Sequence, residues 1–477
     1  MAISGDSYAQ NANWSRHFGG AYNEGGFACA ATADRGYFVV GSTYSFGHGD
    51  HDIYVIRLDS LGDTVWTRAF GGVAADFGRD VQVMPDGGCI VVGSTASAGV
   101  GKEDLYLIRI SAGGDLSWSR TYGGVNSDEG WSIRWTSDSN FIICGTTSSS
   151  GAGYGDLWLL KLTRQGDSIW AKTFGGAGGE SGMAARETIG GFVAVGSTGS
   201  FGEGYSSIYA VKVDWNGDSV WAKTFGGSKA DYGYSVETAL DGDYMIVGAT
   251  SSYGLGYNDA YLLKVTPFGD VVWEKTFGGA KDDRGFSVIN SPGGDFILAG
   301  TTESFGKGGS DAYVVRVSPI GGLIWSTTYG GTLADYSRSI TVDRKGNFVM
   351  AGYSYSFSAG GSDMYVVALT GDAPTSVEEP MIGTLPDGFA LGQNYPNPFN
   401  ATTHIPVTLP RRAAISVTIY NLLGQVVRQW NETMPAGSND ITWNGDDERG
   451  RTVATGVYLY TLSVEGGYSA KKLVLLK

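Results

Sequence analysis

Short runs of β-branched and aromatic residues, separated by clusters of Gly, Asp, Asn and Ser, dominate this chain, and the 3.6-residue apolar period of a helix is nearly absent. After Gly233 the runs are Tyr234–Ala239, Tyr244–Thr250, Ala260–Thr266 and Val271–Phe277. They are joined by an Asp241-Gly242 turn, a Gly-rich loop and a turn at Phe268-Gly269. This spacing predicts four antiparallel strands in one small sheet. The set recurs along the chain. Trp14, Trp66, Trp118, Trp170, Trp221, Trp273 and Trp325 stand 51 or 52 residues apart, and each opens the pattern Trp-x-x-x-[Phe/Tyr]-Gly-Gly. Four short strands repeated at such a period describe a propeller blade, whereas a solenoid would show helices or a shorter repeat.

The expected fold class is therefore all-β, with a seven-bladed β-propeller of four-stranded blades over residues 14–370. The ends of this region complement each other. An isolated strand, Trp14–Phe18, precedes the first full set, and the seventh set stops at Met364–Leu369 with no Trp strand after it. We expect the first strand to complete the last blade, which removes open sheet edges. The core Asp86-Gly87-Gly88-Cys89-Ile90-Val91-Val92-Gly93-Ser94 resembles that of bacterial extracellular propeller repeats. That resemblance covers residues 14–369 and implies the fold without naming a ligand.

The pattern changes after the last blade. Residues 371–390 read as a Pro-containing linker. From Leu391 onward, alternating runs such as Ile415–Tyr420 and Val457–Leu462 predict a small Ig-like β-sandwich, with the Pro-Asn-Pro run confined to a turn. The blocks here are Asn394-Tyr395-Pro396-Asn397-Pro398-Phe399-Asn400, Leu423-Gly424-Gln425, Trp443-Asn444-Gly445, Gly456-Val457-Tyr458 and a terminal strand opening on Lys471-Lys472. In this order they resemble the type A sorting domain of type IX secretion cargo, over residues 391–477. Two positions depart from that pattern: Asn444, where Asp is usual, and Leu473, where Met is common. The resemblance implies recognition by an outer-membrane translocon of a Gram-negative bacterium. Removal of the domain would follow, with anchoring to surface lipopolysaccharide or release.

Composition narrows the function. The formal net charge is -15. Residues 391–477 hold eight Lys/Arg against six Asp/Glu, so the first 390 residues carry -17. An acidic surface of this kind repels phosphate backbones and argues against nucleic acid. Cys29, Cys89 and Cys144 lie within apolar strands, with neither disulfide nor zinc spacing, and read as small buried hydrophobes. No transmembrane run is visible. In the N-terminal segment, residues 1–13, Ser7-Tyr8-Ala9 before Gln10 fits a signal peptidase site, from which we expect a start upstream.

Two repeated sets of acids are the candidate chemistry. Six residues after the aromatic of each Gly-Gly pattern stands Glu24, Asp76, Asp128, Glu180, Asp231, Asp283 or Asp335, a ring on one face near the channel mouth. The carboxylates suit calcium, the one cofactor candidate, and suit equally the capping of turn N–H groups. Asp52, Asp104, Asp156, Asp259, Asp311 and Asp363 open the third strands, with Ser207 in the fourth blade. Cations repeat on the third strands (Arg57, Arg109, Lys161, Lys212, Lys264, Arg316) and two residues after the Trp (Arg16, Arg68, Arg120, Lys172, Lys223, Lys275). They are expected to stack on that Trp or to pair with an acid.

Catalysis finds little support. His48 and His51 share a loop with Asp50 and Asp52, His17 and His404 lie elsewhere, and no nucleophile elbow, zincin or P-loop pattern occurs. The expected function is a non-enzymatic, surface-exposed propeller for binding or scaffolding, with a glycan, a protein or an envelope component as partner. The rival is a secreted glycoside hydrolase or lyase using carboxylates at the channel mouth. An active site needs residues that break the sevenfold pattern, and the visible irregularities are Trp131, Trp135, Trp158, Trp215 and the His48/His51 loop.

Overall fold

The computed structural model describes residues 12–358, 360–369, 388–421, 426–464 and 467–476. The described residues form strands and turns in two compact units, each taken here by itself. Gly424, most of the 371–390 segment and residues 1–11 lie outside the described residues.

The first unit holds seven four-stranded antiparallel sheets. In six of them consecutive strands pair in chain order, as in Glu24–Ala31, Tyr37–Thr43, Asp52–Leu58 and Thr64–Phe70. The seventh pairs Asp335–Val342, Phe348–Ser354 and Asp363–Leu369 with Ala12–Phe18, the expected closure, setting His17 opposite Tyr365 and Phe18 opposite Met364. First strands adjoin from blade to blade, and Glu24–Ala31 packs against both Asp76–Val83 and Asp335–Val342. The seven sheets therefore form a closed ring with the first strands innermost.

Stacked blades cover both faces of each sheet, so Tyr37–Thr43 and Asp52–Leu58 are buried along their whole length. This is why the second and third strands read as nearly unbroken apolar runs. The outermost strands are exposed and are held by the periodic tryptophans. The indole N–H of Trp66 donates to Ala112 O at 3.1 Å, that of Trp170 to Trp215 O at 3.1 Å and that of Trp221 to Pro267 O at 3.0 Å, each in the next blade. The indole lies flat over the glycine of that turn: a Cβ on Gly217 would stand 3.0 Å from the Trp170 ring, and its φ of +79° favours glycine as well. Trp325 faces the blade without such a turn, because its outermost strand comes from the N-terminus, and its buried indole nitrogen has no hydrogen-bond partner among the described residues.

The repeated cations divide by position. On the third strands Arg57, Arg109, Lys161, Lys264 and Arg316 pair with Asp34, Asp86, Asp138, Asp241 and Asp295, in the first turn of their own blade. The fourth blade has Ile189-Gly190 in that turn, so Lys212 bonds only Val213 O, and burial lowers its pKa. Among the outer cations, Arg16, Lys172 and Lys223 reach Asp63, Asp218 and Asp270 in the next blade, while Arg68 and Arg120 lie over Trp66 and Trp118.

Several strand boundaries shift from the sequence reading, as where Ala260–Thr266 is observed as Asp259–Val265. The innermost strand of the fifth blade starts at Asp231, not Tyr234, and runs to Thr238. Its pairing continues through Gly233 across a β-bulge, a residue that in sequence reads as a strand breaker.

The second unit is the predicted sandwich. One sheet joins Ala390–Leu391, Thr403–Leu409 and Gly437–Trp443. The other joins Val426–Met434, Ala413–Tyr420, Gly456–Val464 and Gly467–Leu475. Trp443, Phe399, Tyr458, Tyr460 and Leu475 meet in its core.

Candidate functional site

The ring acids sit at the first residue of every innermost strand and are almost wholly buried. Each accepts the N–H of the second glycine of the preceding Gly-Gly: Gly20 to Glu24 at 2.8 Å, Gly72 to Asp76 at 2.8 Å, Gly124 to Asp128 at 2.7 Å and Gly176 to Glu180 at 2.6 Å. Gly227 to Asp231, Gly279 to Asp283 and Gly331 to Asp335 repeat the bond. A Thr closing the second strand donates to the same carboxylate in five blades (Thr43, Thr147, Thr198, Thr250, Thr302). In the following loop Ser97, Ser149, Ser252, Ser304 and Ser356 donate hydroxyls, whereas Ser45 and Ser200 donate backbone N–H groups. The acids thus cap the loops on one face of the ring. In Glu180 burial opposes ionisation, but the Ser200, Gly176 and Thr198 hydrogen bonds outweigh it and lower the pKa.

The third-strand acids cap the adjacent loop, as Asp259 does for the N–H groups of Leu255 at 3.0 Å and Gly256 at 3.1 Å. Both sets converge on the first glycine of Gly-Gly. A Cβ on Gly71 would stand 2.1 Å from Asp52 Oδ1 and 2.6 Å from Asp76 Oδ2, so only glycine fits there. Burial first, then the neighbouring carboxylate, raises Asp52 and Asp259, and lifts Asp311 to about 6. Among the described residues no three His, Cys, Asp or Glu side chains are grouped so as to hold a metal ion. His51 rests against Tyr44 and Phe77, with Asp50 at 3.3 Å, and His48 contributes its backbone N–H to Asp52.

The channel is where the blades stop resembling each other. Every innermost strand carries a bulge immediately after a glycine or serine, between Gly26/Ala28, Gly78/Asp80, Gly130/Ser132, Gly182/Ala184, Gly233/Ser235, Gly285/Ser287 and Ser337/Ser339. The residue left out of the ladder is Phe27, Arg79, Trp131, Met183, Tyr234, Phe286 or Arg338, and each is half-buried. A bulge re-aims a side chain without disturbing the pairing on either side. Between blades these residues touch one another: the Arg79 guanidinium lies 4.7 Å from the Phe27 ring, 4.9 Å from Phe77 and 4.4 Å from Trp131. Tyr234 and Phe286 rings are 5.0 Å apart, and Arg338 lies 4.2 Å from Phe286.

Beyond the bulge, polar links join neighbouring innermost strands. Arg134 pairs with Asp80, Arg186 with Glu237 at 3.0 Å, and Asn290 donates to Thr238 O at 2.8 Å. Burial raises the pKa of Glu129, with Glu103 adding to the rise and Arg79 opposing it. The acid-capped face also bears Tyr154, Tyr205 and Tyr257, which occupy one loop position in three successive blades and are 88%, 92% and 82% exposed. Of the expected irregularities, Trp131 joins the channel, while Trp135 and Trp158 pack between blades. Sequence reasoning missed the other channel residues. Their signal was the column three residues after each ring acid, where every side chain is large yet none is shared by more than two blades.

In the sandwich the residues expected to form the sorting signal divide between surface and core. Tyr395, Pro396, Asn397, Pro398 and Asn400 are exposed, Asn394 is buried, and Asn397 Oδ1 accepts the Val474 N–H at 2.8 Å. Phe399 pairs with the terminal strand and packs on Trp443, which meets Tyr458 edge-on. Gly445 has a φ of +64°, Gly456 opens its strand, and Lys472 is exposed beside a half-buried Lys471.

The profile of the FlgD Ig-like domain family matches residues 395–468. Regulatory protein FlaEY of Caulobacter vibrioides is 25% identical over 118 residues, spanning 22% of this chain but only 12% of that protein. Among solved structures, the extracellular domain of a hybrid two-component system from B. thetaiotaomicron aligns over 98% of this chain and 60% of its own, with a TM-score of 0.43 and 9% identity. The β-propeller domain of the Trilobed protease from Pyrococcus furiosus aligns over 78% of this chain and 99% of its own, with a TM-score of 0.41 and 12% identity. The strand topology makes the first unit a β-propeller, and the second, an Ig-like sandwich, is similar to the FlgD Ig-like domain family.

Proposed function

We propose that this protein is an extracellular binding propeller, delivered to the cell surface by the type IX route through its C-terminal sandwich. One observation carries the binding half: the repeated acids, cations and tryptophans serve the scaffold, whereas the bulged channel residues Phe27, Arg79, Trp131, Met183, Tyr234, Phe286 and Arg338 differ from blade to blade. A pure spacer needs no such variety. Half-buried aromatic rings offer flat apolar faces, and intervening arginines offer donors, the surface of a binding site and not of a hydrolytic one. The ordered blocks from Asn394 to Lys472 support the sorting half.

The test is an array of glycans and surface proteins probed with the full chain, in calcium and in chelator. Selective capture in both conditions is expected, since the ring acids are already engaged by N–H and O–H donors. Release of a cleaved product would replace binding by catalysis. In a type IX-competent host, the chain lacking residues 391–477 is expected to remain in the periplasm; export without them would reduce the sandwich to a spacer.

A further inference from the structure

Five arginines project from the innermost strands near the channel, and three of them are neutralised within the protein. Arg134 pairs with Asp80, Arg186 with Glu237 and Arg284 with Asp282 at 2.9 Å. Arg79 and Arg338 have no ion pair among the described residues, and the buried Nε of each lacks a hydrogen-bond partner. Arg338 donates a bond to Tyr353 Oη at 3.2 Å, and both guanidinium groups lie over aromatic rings. Glu129 and Glu103 are the acids nearest Arg79, and neither is bonded to it. Burying a guanidinium without a counter-charge is unfavourable unless something else completes the pair.

The way they are held indicates what completes it. Stacking occupies the flat face of a guanidinium and leaves its N–H edge free, and that edge fits a carboxylate with two parallel bonds. Phe27, in the first blade, lies between the blades that carry the two arginines, and Trp131, Phe286 and Tyr353 line the same wall. An apolar ring face beside two unpaired forks suits a sugar with a carboxylate. A polyphosphate is disfavoured, because the first 390 residues carry -17 and repel a multiply charged chain at the rim. Resting on the binding reading above, we infer that the channel takes a terminal acidic sugar, its carboxylate held between Arg79 and Arg338 and its ring against the channel aromatics.

Titration calorimetry of the full chain with a glucuronate-terminated disaccharide tests this, with its methyl ester and the neutral glucose-terminated disaccharide as controls. The acid is expected to bind at least about tenfold more tightly than the ester, the worth of one charge-assisted contact. Arg79→Gln and Arg338→Gln are each expected to lower that affinity at least about tenfold. The unliganded melting temperature should not fall, because each change removes an uncompensated charge. Arg79→Lys keeps the charge but not the fork, and is expected to stay weak. Equal binding of acid and ester, or binding of the neutral sugar alone, overturns the acidic-sugar inference and leaves the binding propeller standing. No binding of the acid at millimolar concentration also overturns it, and the array then decides the broader reading separately. A fall in melting temperature with unchanged affinity would assign the arginines to the scaffold.

Discussion

Asp128→Ala decides between the two roles that a repeated buried acid can play. Asp128 is fully buried and accepts from Gly124 N at 2.7 Å and Ser149 Oγ at 2.5 Å, with Thr147 Oγ1 also bonded. Hydrogen bonds to a charged acceptor contribute about 1.5–3 kcal/mol each. The two hydroxyls can turn toward other acceptors, whereas the Gly124 N–H cannot and is left unpaired at a further cost of about 1–3 kcal/mol, so the expected loss is roughly 2.5–6 kcal/mol. For a domain of this size that corresponds to a fall in melting temperature of roughly 3–8 °C. Asp128→Asn keeps one acceptor oxygen and should lose about half as much. The assay is thermal unfolding of wild type and variants, each with calcium and with chelator. If the carboxylate acts as a cap, chelator leaves the wild type unchanged and the deficit of the variant is the same in both conditions. The reasoning is refuted if chelation destabilises the wild type and brings it level with Asp128→Ala, since the stabilising partner would then be an ion.

Other expectations are equally specific. His17 is stacked between Phe357 and Tyr365 on the closing strand, and burial lowers its pKa to about 4. Its contribution is fully present above the unfolded value near 6.5 and is lost as pH falls toward 4. His17→Phe should therefore remove up to ~3 kcal/mol of acid sensitivity, and equal acid slopes in variant and wild type would refute this. Asp311 has a folded pKa of about 6, above its unfolded value, so it penalises stability above pH 6 and the penalty fades as pH falls toward 4. Asp311→Asn keeps an acceptor for Lys307 N and should stabilise by ~1–3 kcal/mol at pH 7.5 but not at pH 4, as read from melting curves across that range. Asn397→Ala removes the acceptor for Val474 N–H and should cost about 1–2 kcal/mol in calorimetric unfolding of the sandwich, leaving the propeller transition in place.

How legible these features were in sequence depended on whether the residue's duty was the same in every blade. Trp170 and its counterparts clamp the next blade's turn, a demand that recurs unchanged and so appears as a fixed period. Blade number follows from that period, and closure by Trp14–Phe18 from the isolated first strand and a seventh set that lacks a Trp strand. The ring acids were equally visible, but not their role, because a carboxylate repeated seven times looks the same whether it meets calcium or an N–H. Only the placement of Gly124, Thr147 and Ser149 around Asp128 distinguishes them. The cation partners were half legible. Lys161 and Asp138 lie 23 residues apart, at the ends of a hairpin and its neighbouring strand, and their pairing is set by register. It lowers Asp138 to about 2, against the opposing effect of burial, through bonds from Thr136, Lys161 and Asn140.

The bulge explains why the channel stayed hidden and how the protein keeps fold and recognition apart. Within a ladder a side chain is constrained by its cross-strand partner and by the blade stacked on it, so substitutions are felt by the whole sheet. Arg79 has no opposite number: Gly78 pairs with Gly93 and Asp80 with Val92, and the residue between them is free of the register. The same exemption holds at Phe27 and Phe286, where the equivalent side chain is a phenylalanine on an identical backbone. Seven positions can therefore vary without disturbing the pairing of the strands that carry them. Arg338→Phe should accordingly fold as well as the wild type, since the sixth blade already seats that side chain there, and should change only what the channel binds. A marked loss of stability in that variant would mean that the bulge is coupled to the scaffold after all, and the division between repeated frame and variable site would fail with it.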